Sequence, residues 1–192
     1  MAGGNGINPP KPKSNHRLNR EMRRIILTGA ESSGKSYLTQ HLGEVFKLPY
    51  VLEYARTYLE ENGPEYDLEQ LRKMSRLHLI YQQEKIPTST PWGIFDTDLI
   101  NYKIWAEEVF GHCPAEVSTG IEQEASHVYL LCKPDLPWEP DPLRENRHDL
   151  QRIYQCHLDE IIRLERPYEV VEGRGLERLA NAEAALHRLL ER

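Results

Sequence analysis

The chain has 192 residues, 39% of them hydrophobic, with 24 Lys and Arg against 30 Asp and Glu for a formal net charge of −6. That length suits one domain with a lean core. No apolar run approaches the ~18 residues of a membrane helix and no signal-peptide core precedes the first strand, which excludes the membrane and secretory classes and leads us to expect a cytoplasmic protein.

The first expected element is a flexible basic tail over residues 1–22, rich in Gly, Pro and Asn, which cannot repay the entropy of ordering it. Residues 1–24 hold Lys11, Lys13, Arg17, Arg20, Arg23 and Arg24 against Glu21 alone, so the remainder of the chain is more acidic than the total implies. A basic tail can touch nucleic acid, but the acidic body would repel phosphate backbones, and a solvated leader is the expected role. From residue 23 onward short apolar runs alternate with amphipathic segments. Strands are expected at 24–28, 50–53, 93–95, 127–132 and 169–171, and helices at 35–46, 67–85, 99–110, 147–164 and 175–190. Asp67 and Gln70 have the spacing of a capping box. The helical stripes Leu68, Leu71, Met74, Leu77, Ile80, then Leu150, Ile153, Tyr154, Leu158, Ile161, then Leu176, Leu179, Leu186, Leu190 are expected core faces. This alternation predicts an α/β fold with a five-stranded parallel sheet between helical layers. Cys113, Cys132 and Cys156 are odd in number and far apart, and the pairs His112–Cys113 and Cys156–His157 lack metal-knuckle spacing.

Between the first strand and the first helix lies Gly29-Ala-Glu31-Ser32-Ser33-Gly34-Lys35-Ser36, a G-x-x-x-x-G-K-[ST] phosphate loop in the context the motif requires. Its glycines let successive N–H groups converge on phosphate oxygens, and the helix that opens there, with Tyr37 in its first turn, adds its positive end. Lys35 supplies charge to the β- and γ-phosphates, and the Ser36 hydroxyl suits Mg²⁺. ATP or GTP is therefore the expected ligand, in a P-loop NTPase three-layer fold.

The third strand ends in Asp96, where a Mg²⁺-holding carboxylate is expected; Asp98 is either a second functional acid or the N-cap of the next helix. Glu53, Tyr54 and Arg56 close the second strand, where a parallel sheet faces its ligand, and are expected to meet an acceptor. Cys132-Lys133-Pro134-Asp135 resembles a guanine-reading element, yet Asp98-Leu99-Ile100-Asn101 stands where a GTPase switch needs Asp-x-x-Gly. A motor ATPase would need a helical domain after the sheet. Residues 134–149, with four prolines and with Arg144 and Arg147, read as a lid whose arginines reach the transferring phosphoryl group.

Together T-G-A-E-S-S-G-K-S at 28–36, E-Y-A-R-x-Y-L at 53–59, F-D-T-D at 95–98, P-D-L-P-W-E-P-D-P-L-R at 134–144 and G-x-x-x-x-R from Gly173 to Arg178 resemble the ribosylnicotinamide kinase domain of NadR-type proteins and their single-domain relatives. The resemblance spans about residues 23–190. It implies a nucleoside-monophosphate-kinase-like fold and transfer of the ATP γ-phosphate to the 5'-hydroxyl of nicotinamide riboside. On that reading residues 31–36 hold the phosphates, Mg²⁺ sits near Ser36 and Asp96, Arg144 and Arg147 close over the γ-phosphate, and Glu53 or Asp98 handles the acceptor. Tyr54, Tyr102, Trp105 and Trp138 are candidates for an aromatic wall against a cationic ring, and Gly173 with Arg178 borders the adenine. The chain departs from the family in two places. The residues before the first strand are too few for a companion domain, and Asn101-Tyr102-Lys103 replaces a Thr-Thr-Gln stretch expected to touch the acceptor. Two other functions fit the motifs: a kinase of another nucleoside-like acceptor, or a regulatory ATPase working through partners, including a second copy of itself.

Overall fold

The computed structural model describes residues 22–124, 127–140 and 149–191; the expected tail over 1–22 falls outside them except for Met22, as do Arg144 and Arg147 of the expected lid. The elements run β1 Arg23–Thr28, α1 Lys35–Phe46, β2 Tyr50–Val51, α2 Tyr54–Asn62, α3 Leu68–Lys85, β3 Trp92–Asp96, α4 Leu99–Phe110, α5 Ala115–Gln123, β4 His127–Cys132, α6 Leu150–Arg163, β5 Tyr168–Val171 and α7 Gly175–Leu190. The strands form one parallel sheet in the order β2-β3-β1-β4-β5. Because β1 is central, both of its faces are covered, which is why Ile25, Ile26 and Leu27 can follow one another.

The pleat sorts the core into two layers. Ile25, Leu27, Ile94, Leu130, Cys132 and Val171 meet Leu38 and Leu42 of α1 and Ala182, Ala185, Leu186 and Leu189 of α7. On the other face Ile26, Phe95, Tyr129 and Leu131 meet Leu71 and Met74 of α3, Ile104 of α4, Ile121 of α5 and Ile161 of α6. The result is a three-layer α/β/α fold with the loops after β1, β3 and β4 converging at the carboxyl edge of the sheet.

Three expectations need correction. The second strand stops at Val51, because an edge strand has only β3 to pair with and the chain turns into α2 at Tyr54. The stripe on α3 is rotated: Ile80 is exposed, while Leu71, Met74, Ser75, His78 and Gln82 are buried. On α7 the stripe is shifted: Ala182 and Ala185 join Leu186 and Leu189 in the core, while Leu176 is 84% exposed. The capping box forms as its spacing predicts, each of Asp67 and Gln70 accepting the other's backbone N–H through its side chain at 2.8 Å.

Candidate active site

The loop after β1 is a tight backbone cradle. Gly29 has φ of 127°, and a Cβ there would lie 2.5 Å from the Cys132 carbonyl oxygen. Ser32 and Gly34 also take left-handed conformations, at φ 55° and 79°, so the chain coils within a few residues and its amides turn inward. Ser33 stays inside, donating from Oγ to the Ala30 carbonyl at 2.7 Å. No side chain caps α1, which leaves its first N–H groups open toward the cradle. Lys35 Nζ donates to the carbonyls of Gly29 and Ala30 at 2.9 and 2.8 Å, spanning the loop from inside.

This cradle forms one end of a cavity of about 650 Å³, which Gly29 to Tyr37 line along with Leu136, Pro137 and Glu139 from the loop after β4. Glu139 donates its backbone N–H to Ser32 Oγ at 3.2 Å. The far end is built by Glu53, Arg56 and Leu59 at the start of α2, by Pro64 and Tyr66, and by Asn101, Ile104, Trp105 and Glu108 on α4. Those four α4 positions are spaced i, i+3, i+4, i+7, one helical face. Trp105 Nε1 donates to the Tyr66 hydroxyl at 2.7 Å, and the two rings meet edge-on with centroids 5.0 Å apart. Ile153 and His157 of α6 complete the wall.

Glu53 lines the cavity where the cradle meets the far end, and Asp96, fully buried, lies close to it outside the lining. Burial, with nearby Asp96 adding to it, pushes the Glu53 carboxyl up to about 7, while Lys35 and Arg56 pull the other way. Asn101 Nδ2 donates to Glu53 Oε1 at 3.3 Å. Burial also raises the Asp96 carboxyl, opposed by Lys35 and the adjacent Ser36. Both Asp96 oxygens are buried without a well-formed hydrogen bond, the Ser36 hydroxyl and the Glu53 backbone N–H being only nearby. Orphaned carboxylate oxygens cost free energy unless a ligand completes them, and together with a hydroxyl they form the hard oxygen set that Mg²⁺ takes.

Several expected site residues lie elsewhere. Asp98 is the N-cap of α4 and accepts the Ile100 N–H at 3.0 Å. Its other oxygen accepts the Tyr129 hydroxyl at 2.6 Å in a buried cluster with His127 at 3.4 Å. Burial alone would raise its carboxyl, but His127 and Tyr129 hold it low. Its carboxylate therefore serves the core beneath the cavity, not an acceptor. That cluster gathers Asp98, Glu124 and His127 closely enough to suggest a cation, yet the Arg24 and Arg166 guanidiniums already counter both carboxylates. Tyr102 is fully buried beside His78 and Trp105, and Tyr54 packs on Tyr58 and Tyr81, so neither ring lines the cavity. Trp138 likewise falls outside the lining, although its neighbours Pro137 and Glu139 belong to it. Lys103 pairs with Glu107 and Glu160, which leaves Asn101 as the part of 101–103 that faces inward.

Gly173 and Arg178 do not line the cavity but fasten its rim. Arg178 donates to the carbonyls of Ser33 and Lys133 and to Asp135 Oδ1 at 2.7, 3.0 and 2.6 Å, and the Gly173 N–H donates to Asp135 Oδ2 at 2.8 Å. Tyr66, Glu108 and His157 were missed in the sequence. The α4 periodicity would have found Glu108 from Trp105, and His157 lies in phase with Ile153, Tyr154 and Ile161. Tyr66, in the connection between α2 and α3, gave no local signal.

A family model for AAA domains, AAA_28, matches residues 24–178. The chain belongs to that AAA-domain family. The chain is also similar to the trifunctional NAD biosynthesis/regulator protein NadR of Escherichia coli, at 26% identity over 148 residues, covering 72% of this chain and 36% of the relative. NadR of Salmonella typhimurium is 26% identical over 127 residues, covering 64% and 31%. A crystal structure of NadR in complex with NR superposes with a TM-score of 0.63 at 19% identity, covering 88% of this chain and 52% of that one. A thymidylate kinase from Ehrlichia chaffeensis superposes at 0.56 and 12%, covering 88% and 99%. The chain spans about a third of the curated relatives' length and about half of the solved NadR chain. The three-layer fold is that of P-loop kinases, and the motifs resembling NadR fall within the matched span. No helix among the described residues is long and apolar enough to cross a membrane.

Proposed function

We propose that the protein is an ATP-dependent small-molecule kinase that phosphorylates the 5'-hydroxyl of nicotinamide riboside. The observation that carries this reading is the pairing, in one cavity, of a phosphate cradle with an end that offers the Trp105–Tyr66 corner and Glu53, whereas Glu108 at that end is already paired with Arg152. Flat aromatic rings suit a planar cation linked to a ribose. The likeness to NadR supports the same substrate class.

In the mechanism, the amides of residues 31–36 and Lys35 hold the triphosphate, and Glu53 faces the acceptor. Ser36 and Asp96 would hold Mg²⁺, which shields phosphate charge when bound. The acceptor oxygen bonds to the γ-phosphorus as the bridge from that phosphorus to the β-phosphate oxygen breaks, releasing ADP. The hydroxyl proton passes to the Glu53 carboxylate. Because phosphoryl transfer depends mainly on alignment and charge stabilisation, proton removal is late and the cavity's shape does most of the work.

An acceptor screen with ATP and Mg²⁺ tests the proposal. Nicotinamide riboside should drive ADP formation above uridine or adenosine, and Lys35→Ala should abolish it. A flat response across the nucleosides, with ATP still bound, would favour a regulatory ATPase.

A further inference from the structure

His157 sits in the cavity wall yet is only 1% exposed. Its Nδ1 lies 2.9 Å from Oγ1 of Thr28, the last residue of β1 and the one before Gly29. The Thr28 side chain is fully buried, and its hydroxyl meets no other hydrogen-bond partner among the described residues. A hydroxyl carries one hydrogen, so if Nδ1 bore the proton, that hydrogen would be stranded in the core. Thr28 therefore donates to Nδ1, which fixes the tautomer with the proton on Nε2. Nε2 has no protein partner among the described residues, while the ring lines the cavity beside the cradle.

The position within the cavity identifies what Nε2 meets. Lys35 reaches back to the carbonyls of Gly29 and Ala30, at the β1 end of the cradle. Thr28 brings His157 to that same end, where Lys35, Glu53 and Asp96 also lie within electrostatic range of one another. In a loop of this type the lysine serves the β- and γ-phosphates. We propose that His157 is a neutral donor whose Nε2–H hydrogen-bonds the γ-phosphoryl group of the bound nucleoside triphosphate, making it a further catalytic residue. The inference rests on the nucleotide reading of the cradle, not on the identity of the acceptor. Burial first, and Lys35 second, push the imidazole down to about 3. It is thus a neutral donor across the working pH range, and Thr28 sets its proton by geometry.

Such a donor distinguishes a triphosphate from a diphosphate, so the test compares Mg²⁺–AMP-PNP with Mg²⁺–ADP by calorimetric titration of the full chain. His157→Asn keeps an acceptor for Thr28 but withdraws the cavity-facing donor. It should weaken AMP-PNP about tenfold and leave ADP within twofold, a typical change for one hydrogen bond to a charged group. His157→Gln can return an N–H to the Nε2 position and should recover most of the difference. Thr28→Val, which alters no cavity-lining side chain, releases the tautomer and should lower the AMP-PNP to ADP ratio in the same direction. Equal losses for both nucleotides, or no loss, in the Asn and Val variants would overturn this inference alone. Failure of the wild-type chain to bind either nucleotide would overturn the nucleotide reading and this inference with it.

Discussion

Arg178 and Ser33 are 145 positions apart in sequence, yet the arginine Nη2 donates to the Ser33 carbonyl at 2.7 Å. The same guanidinium reaches Asp135 at 2.6 Å and the Lys133 carbonyl at 3.0 Å. One side chain from α7 thus fastens the cradle to the segment that follows β4. With the Gly173 carbonyl at 3.1 Å, its planar fork serves four partners at once, which lysine could not reproduce.

Removing that fork should therefore cost both stability and nucleotide affinity. Arg178→Met takes its donor from Asp135 and from the carbonyls of Ser33, Lys133 and Gly173, for a loss of roughly 3 kcal/mol. The corresponding fall in Tm is about 6–12 °C for a chain of this size, readable by calorimetry. Arg178→Lys should recover less than half of it.

The two glycines of the cradle should respond differently to alanine. At Gly29 a Cβ meets a backbone oxygen at 2.5 Å with φ at 127°, so neither the contact nor the conformation can relax cheaply. Gly29→Ala should cost on the order of 2–4 kcal/mol. At Gly34 the nearest atom is the Leu136 methyl at 3.1 Å, a side chain that can move. Gly34→Ala should cost about 1 kcal/mol, the strain of its φ alone. Urea unfolding of the two variants measures the difference.

Much of this fold could be read from local patterns, because βα units place each strand and helix within a few residues of its signal. The bounds 35–46, 99–110, 127–132 and 175–190 reappear unchanged as α1, α4, β4 and α7. Two short helices did not announce themselves. α2 opens on Tyr54-Ala-Arg56 with β-branched Thr57 close behind, and α5 carries Val117, Thr119 and Gly120, weak helix formers held by packing of Val117 and Ile121. The phosphate end of the site was legible because one continuous loop makes it. The far end was legible only in part: Glu53, Arg56 and Trp105, read in the sequence as acceptor candidates, line it, while Tyr66 and His157 come from separate segments, and whether a side chain such as Asp98 faces the cavity or the core depends on long-range packing. Asp98 and Asp96 look equivalent in sequence. They differ because Asp98 lies where the Tyr129 hydroxyl can reach it, and Asp96 beside the cradle.

The Trp105–Tyr66 corner gives a test of how the acceptor is recognised. On the proposed function, Trp105→Leu keeps an apolar wall but removes the ring face, and cation–π contact is worth ~0.5–2 kcal/mol. The KM for nicotinamide riboside should rise between about twofold and thirtyfold, while the KM for ATP stays within twofold. Tyr66→Phe removes the acceptor of the indole N–H while keeping the ring, and should have a smaller effect of the same sign. Steady-state kinetics with each substrate varied in turn separates the two ends of the cavity.

Glu53 links activity and stability in opposite senses. Its carboxyl is raised from 4.5 to about 7, first by burial, so in the free enzyme at pH 6 it is largely protonated and cannot take the acceptor's proton. The ratio kcat/KM should climb about tenfold per pH unit below 7 and level off above it. Glu53→Gln, which keeps an amide for Asn101 to pair with, should lose that limb and lower kcat by roughly 10²-fold or more. Stability runs the other way. The folded chain holds this proton more tightly than the unfolded one, so the contribution is complete below pH ~4.5 and is lost as pH rises through about 7. Glu53→Gln should accordingly raise Tm at pH 8 more than at pH 5. A variant that lost activity with an unchanged pH profile and lower stability at pH 8 would assign Glu53 a structural role.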